Sequence, residues 1–267
     1  MQKVSAVLIT LNAGDRLEAT LNALTWCNEI VVVDSGSTDN TIEICERFNC
    51  RIYHRDFDRY GNQKRFAVEL AKNDWVLSVD SDEVVSEKLK NEIQHVLQQK
   101  KVSHAGYYVS IPLIFFGTRI NSEASKKFLR FFNKQFGNFD DALVHEKVHL
   151  HGTIGKLKGE MVHYSYRDME MFFTKFNKYT TLAAENLRLK KASVGFAHVI
   201  LKCPATFFKV YFLKGCFLNG IPGFLWAFLS SIYPVIKYAK LWELNRQQPQ
   251  VVIKPIRQEV LLEEKEA

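Results

Sequence analysis

The feature that most constrains this chain is an alternation in its first 80 or so residues. Four short apolar runs, Val4–Leu11, Glu29–Asp34, Cys50–His54 and Trp75–Asp80, are separated by stretches with helical spacing. Leu17, Leu21 and Leu24 keep that spacing; Ser37 to Phe48 opens on capping residues; Phe66 and Leu70 with Ala67 and Ala71 give a third amphipathic face. Strands interleaved with helices predict a parallel sheet covered on both faces. Such sheets bind ligands in the crevice at the carboxyl ends of their strands. Two acidic runs stand at those ends, DSGSTDNT at 34–41 and DSDE at 80–83.

A carboxylate closing a buried run such as Ile30 to Val33 is poorly solvated unless it has a partner, so Asp34 is expected to meet a ligand donor. Ser37 and Asp39 have two readings, one as site residues and one as caps of the next helix. Asp80 and Asp82, two apart at a strand end, can offer oxygen ligands to a divalent cation. A diphosphate leaving group needs such help, because it gains negative charge as its bond breaks.

Further along, Ser86–Gln99 reads as a fourth helix with Leu89, Ile93, Val96 and Leu97 on one side. Gly106–Ile111, Lys126–Phe132 and Val144–His149 then read as strands of an antiparallel extension. Asp168–Leu189 returns to helix, with Phe172, Phe176, Tyr179 and Ala183 three or four apart. The expected organisation is a nucleotide-binding domain over 1–166, its donor half about 1–100 and its acceptor half about 101–166. A basic, aromatic helical region over 167–246 and a flexible tail over 247–267 follow.

In order and spacing, VLITLNAGDRLEATLNAL, EIVVVDSGSTDNT and GNQKRFAVELAKNDWVLSVDSDE resemble glycosyltransferase family 2, and in particular its bacterial lipopolysaccharide core branch. The resemblance covers roughly residues 4 to 240. It implies an α/β, GT-A-like fold with a mostly parallel sheet, a nucleotide-sugar donor, and Mn²⁺ or Mg²⁺ as cofactor. By the same resemblance Thr10 and Asn12 lie beside the nucleotide and Asp34 contacts the base. Lys64 sits near the diphosphate, and Asp82 binds the metal with Asp80 nearby. Where the family has a basic residue followed by Asn, this chain has Lys64 and Arg65, so either cation is a candidate for the phosphate. His163, in VHYSYRD, resembles a late histidine that completes the metal or diphosphate site.

Inversion at the anomeric carbon needs a base on the acceptor side. Glu146 in LVHEKV is the expected catalytic residue, at the end of a predicted strand, with Asp140 and Asp141 as rivals in a turn. His145, His149 and His151 lack helical i, i+4 spacing and are not read as a zinc site. Arg130, on a half-exposed strand near the acceptor, is expected to be solvated.

With 47% hydrophobic residues over 267 positions the chain can bury a sizeable core. Its net charge of +7 is concentrated late, since Arg167 to Arg246 hold twelve Lys/Arg against four Asp/Glu. These are interleaved with aromatics, which suits an anionic membrane surface better than nucleic acid. Gly215–Ile236 carries no formal charge over 22 residues, long enough to span a bilayer. Asn219, Gly220, Pro222, Gly223 and Pro234 are expected to interrupt that run, which favours interfacial helices. In that reading Phe207, Phe208, Phe212, Phe217, Phe224, Trp226 and Phe228 insert, and Lys202, Lys209, Lys214, Lys237 and Lys240 face headgroups. The alternative is an ordinary packed helical subdomain. Five scattered cysteines and an N-terminus that reads straight into a strand suggest the cytosolic side, at the inner face of the cytoplasmic membrane.

The full expectation is transfer of a hexose, glucose first, from a UDP-linked donor to a lipid-linked saccharide. Transfer to a polyprenyl-linked glycan and a non-catalytic membrane-bound scaffold are the alternatives. No nucleic-acid module is recognisable.

Overall fold

The computed structural model describes residues 2–100, 102–120, 127–140, 146–166, 168–190 and 201–246. Asp141, Val144, His145, Arg167 and the expected tail at 247–267 lie outside the described residues.

Four parallel strands open the sheet. β1 (Val4–Thr10) lies between β2 (Glu29–Asp34) and β4 (Trp75–Ser78), and β2 also pairs with β3 (Arg51–His54). The crossovers are α1 (Gly14–Asn22), α2 (Thr41–Arg47) and α3 (Tyr60–Leu70). Side-chain alternation along each strand decides which helix covers which face. Ala6, Leu8, Ile30 and Val32 pack with Leu17 and Leu21 of α1 and Ile44 of α2, whereas Val7, Val31 and Val33 pack with Ala67 and Val68 of α3. Burial on both faces is why these strands read as unbroken apolar runs.

The register sets Thr10 opposite Asp34, so β1 and β2 end level. β4 stops at Ser78, short of the expected Asp80, and the chain then turns, with the Glu83 N–H donating to the Asp80 carbonyl at 3.0 Å. The turn feeds β5 (Glu83–Val85), a short strand the sequence reading lacked. α4 (Glu87–Gln98) follows, capped by Ser86 Oγ, which accepts from the Leu89 N–H at 3.2 Å. Such a cap stabilises by about 1 kcal/mol.

The second half adds β6 (Gly106–Ser110), β7 (Leu113–Phe115), β8 (Thr118–Arg119), β9 (Lys127–Asn133) and β12 (Ile154–Tyr166). The order across the sheet is β3-β2-β1-β4-β9-β6-β12-β7-β8, with β5 also on β12. The expected antiparallel extension is only partly so: β9 runs antiparallel to β4 and β6, but β12 is parallel to both β6 and β7. The sheet is thus mixed and mostly parallel. β10 (Gly137–Phe139) and β11 (Val148–Leu150) form a separate antiparallel ribbon. Glu146 therefore precedes a strand and does not end one.

α5 (Met169–Leu189) starts at Asp168, whose carboxylate accepts from the Met171 N–H at 2.8 Å. α6 (Lys202–Phe208), a π turn (Lys209–Leu213), a 3₁₀ turn (Cys216–Asn219) and α7 (Gly220–Arg246) complete the chain as described. Of the expected interruptions, Asn219 and Gly220 do part the 3₁₀ turn from α7, Gly220 taking φ +59°, whereas Pro222, Gly223 and Pro234 lie within the helix. Pro222 is its third residue, where the N–H has no helical acceptor to lose. Pro234 lies inside the helix, in a segment held by tertiary contacts: Tyr233 OH donates to the Tyr179 carbonyl at 3.2 Å. Lys240 donates to Asn177 Oδ1, Thr180 Oγ1 and Thr181 Oγ1 at 2.6–2.8 Å, and Lys202 to Tyr238 OH at 2.8 Å. Lys202 and Lys240 thus serve helix packing and do not turn to headgroups. Phe207 and Trp226 likewise pack against a cluster built on Phe115 and Phe172.

Candidate functional site

The loop after β2 is organised by Asp34. Its carboxylate accepts from the Gly36 and Ser37 N–H groups, both at 2.8 Å, from Ser37 Oγ at 2.5 Å and from Thr10 Oγ1 at 3.0 Å. Ser37 Oγ in turn accepts from the Asn12 N–H at 2.9 Å, and Asn12 Oδ1 accepts from the Thr38 N–H at 2.8 Å. Asn12 has φ +49°, a region that Asn tolerates better than most residues. Ser37 thus ties two loops together and does not cap α2. Asp39 accepts from the Gly14 N–H, at the start of α1, and from the Thr41 N–H, each at 3.0 Å. Gln63, fully buried, donates to Ser35 Oγ at 2.9 Å and to the Arg55 carbonyl at 2.8 Å.

Burial pushes the Asp34 carboxyl up, but the hydrogen bonds from Ser37, Gly36 and Thr10 outweigh it and hold the pKa below the ordinary aspartate value. A depressed folded pKa stabilises above the unfolded pKa, and that stability is lost as pH falls through the folded one. Wild type should therefore melt above Asp34→Asn at neutral pH, with the gap narrowing in acid. Melting curves of both proteins across acidic and neutral pH test this, and a gap independent of pH would contradict it.

At the end of β4 four elements meet around Asp80. Lys64 of α3, 5% exposed, donates to Asp80 Oδ1 at 2.8 Å and to Glu146 Oε1 at 2.6 Å. Arg130 of β9 is 8% exposed and contacts Asp80 Oδ2 at 2.7 Å and Glu83 Oε1 at 2.9 Å. Burial lowers the Lys64 pKa, yet the Asp80 and Glu146 carboxylates more than restore it; burial raises Asp80, and Arg130 and Lys64 pull it well below the usual range. Glu83, 1% exposed, is pushed up by burial.

Arg130 is thus a buried partner of two carboxylates, contrary to the solvated residue expected. Arg130→Met should cost about 3–5 kcal/mol, because it strands those charges without their cation. Urea unfolding measures the loss, and an unchanged midpoint would show that the network contributes nothing to stability.

Asp82 sits in a second, adjacent arrangement. His163 Nε2, on β12, is 3.1 Å from Asp82 Oδ1, and Lys175 Nζ, on α5, is 3.1 Å from Asp82 Oδ2. Burial lowers the His163 pKa, but the Asp82 carboxylate outweighs it and the net shift is upward. Among the described residues no group of three or more His, Cys, Asp or Glu could hold a metal by itself. A carboxylate oxygen and an imidazole nitrogen are both ligand types that a divalent cation can combine with phosphate and water. Both carboxylates have both oxygens engaged, Asp80 by Lys64 and Arg130 and Asp82 by His163 and Lys175, and of the two only Asp82 has an imidazole, itself a metal-ligand type, beside it.

α5 crosses this crevice. Besides Lys175 it brings Met171, whose sulfur accepts from Arg16 of α1 at 3.4 Å, and Tyr179, whose ring lies 6.4 Å from that of Tyr60 on α3. Arg65 is not part of the cluster. One helical step from Lys64, it points elsewhere and donates from Nε to the Phe139 carbonyl at 2.9 Å, beside an open cavity of about 470 Å³ also lined by Asp140 and His149. Asp140 accepts from the Lys147 N–H at 3.1 Å and lies 3.3 Å from His149.

Sequence reasoning missed Gln63, Glu83 and Lys175. The first two stand inside the quoted motifs GNQKRF and DSDE and were legible there as polar residues next to expected ones. Lys175 had no such signal, since only the tertiary path of α5 brings it to Asp82.

Residues 5–153 match the glycosyl transferase family 2 model. An uncharacterized glycosyltransferase of Rickettsia bellii is 29% identical over 259 residues, covering 92% of this chain and 88% of that protein. The lipopolysaccharide core biosynthesis glycosyltransferase LpsC of Rhizobium meliloti is 28% identical over 253 residues, covering 90% and 92%. Among solved structures, S. aureus TarS 1-349 in complex with UDP-GlcNAc aligns at 16% identity with a TM-score of 0.46, over 88% of this chain and 82% of that one. That structural likeness is too distant to add to the argument.

Proposed function

Because the chain belongs to glycosyl transferase family 2, we propose that it is an inverting hexosyltransferase that moves a sugar, glucose as first candidate, from a UDP-linked donor to a lipid-linked saccharide such as the lipopolysaccharide inner core. The observation that carries this reading is the meeting of Asp82 with His163 and Lys175 beside the Asp80–Lys64–Glu146 cluster. It draws charged groups from both halves of the sheet and from α5 to one end of the crevice, as a diphosphate donor facing an acceptor requires. Similarity to LpsC, a lipopolysaccharide core biosynthesis glycosyltransferase, supports the acceptor class.

In this reading the base is received by the loop that Asp34 organises together with Thr10 and Asn12. Lys64 turns its ammonium to the diphosphate, and Asp80, pinned from behind by Arg130, keeps that ammonium in place. Glu146 accepts the proton of the incoming hydroxyl. Mn²⁺ or Mg²⁺ held by Asp82 and His163 would supply charge neutralisation for the departing nucleotide. Ligation needs the neutral imidazole, so cation binding should weaken as pH falls through the raised His163 pKa. The work takes place at the inner face of the cytoplasmic membrane, where the basic region meets anionic headgroups.

A hydrolysis screen across nucleotide sugars, each with Mn²⁺ and with EDTA, tests the reading. A UDP-hexose should be cleaved only with the metal. Equal rates in EDTA would remove the cation, and a preference for another nucleotide would remove the donor assignment.

A further inference from the structure

Among the described residues, six exposed large apolar side chains gather at and beside the turn between α6 and α7. Phe208, Phe212, Leu213, Phe217, Leu218 and Ile221 all stand out to solvent there, Leu218 at 70% and Ile221 at 76%. Soluble surfaces rarely keep so many large apolar groups together without a partner. The turn is also built to hold its shape. Gly215 takes φ +72°, a conformation costly for other residues, and a Cβ on Gly223 would lie 1.9 Å from the Cys216 carbonyl oxygen, so the 3₁₀ turn lies directly on α7. Ring contacts run through it, Phe208 tilted against Phe212 and Tyr211 edge-on to Phe217 and Phe224.

Two further observations choose the occupant. Lys209 and Lys214 stand exposed among these side chains, and residues 201–246 carry six Lys/Arg against the single acid Glu243. Basic residues flanking apolar ones suit anionic headgroups above acyl chains. Moreover, the 3₁₀ turn and α7 together, Cys216–Arg246, are long and apolar enough to cross a bilayer, yet the far half of α7 is fastened to α5. Leu241 is fully buried, Ser231 nearly so, and Lys240 and Tyr233 are hydrogen-bonded to α5. Held along one side to α5 by these contacts, that half could enter lipid only by taking α5 with it.

We propose that the α6–α7 turn is a wedge that enters one leaflet of an anionic membrane, with α7 lying in or under the interface and not spanning it. The proposal rests on the membrane-surface reading above and specifies which residues insert and how deep the chain goes.

The test is flotation of the full chain with preformed vesicles of phosphatidylglycerol and phosphatidylcholine, or of phosphatidylcholine alone, with UDP binding measured on the same protein. Wild type should float with the anionic vesicles. Leu218→Glu with Ile221→Glu should lower that binding at least about 10-fold, since charges would enter the apolar layer. Lys209→Glu with Lys214→Glu should lower it mainly at low salt. UDP binding should be unchanged in both.

Trypsin added outside the vesicles should still cut at exposed Lys or Arg on both sides of the turn, as it must if neither end has crossed. Protection of one side would mean a spanning helix and would overturn the proposal, as would undiminished binding by the Leu218/Ile221 variant or equal binding to neutral vesicles. Wild-type self-association without lipid, abolished by the same variant, would assign the surface to a second copy instead. Vesicle binding without any UDP binding would leave the wedge standing and count against the donor reading alone.

Discussion

Asp82→Asn should lower kcat/KM by about 10²- to 10³-fold and erase the response to Mn²⁺, the magnitude expected when one oriented electrostatic partner of a transition state is lost. The amide keeps the shape beside His163 and Lys175, at 3.1 Å from each in the native chain, but not the charge. The protein should remain folded, because Asp82 lies outside the Arg130 network that joins β4, β5 and β9. Titration calorimetry with Mn²⁺ and UDP separates the effects: binding of UDP with metal should fall, and metal-free binding should not. Full activity in the variant, or in EDTA, would exclude Asp82 as the metal residue.

Glu146→Gln should reduce transfer by roughly 10²- to 10⁴-fold through loss of the general base. Its position beside Lys64 sharpens the accompanying control. Lys64 is shared between Glu146 and Asp80, so neutralising Glu146 leaves the ammonium freer for phosphate. Donor affinity should therefore hold or tighten as turnover falls. A drop in donor affinity comparable to that of Asp82→Asn would move Glu146 to the donor side. No change in either quantity would send the search to Asp141 and then to Asp140.

The donor half of the fold was legible because its local and global signals agree. Glu29–Asp34 reads as a buried strand and is one, since helices cover both its faces and every inward position must be apolar. β12 was not legible. Its 13 residues, IGKLKGEMVHYSY, carry two glycines and three charges before the run turns apolar, although Leu157 and Met161 reach the core. Its parallel pairing with β6 and β7 comes from contacts remote in sequence. Arg130 illustrates the same limit: FLRFFNK shows a cation on a strand, and only the return of β9 beside β4 places that cation against Asp80 and Glu83. Asp34, Asp80 and Asp82 were readable as strand-end acids, yet their division into a loop organiser, an ion-pair centre and the partner of His163 was not.

The wedge is not tethered loosely. Asn219 in its turn donates to the Arg119 carbonyl at 2.9 Å, Trp226 packs 5.3 Å from Phe115, and Arg119 closes a two-point ion pair with Glu160 of β12. β12 is the strand that carries His163, three residues further on. A leaflet gripping the wedge would thus hold the proposed sugar-transfer centre at a set height above the lipid, through these short links. The molecule would act as a depth gauge: an acceptor would be selected by how far its sugar stands from the bilayer, and a longer glycan already built on the same lipid would overshoot the site.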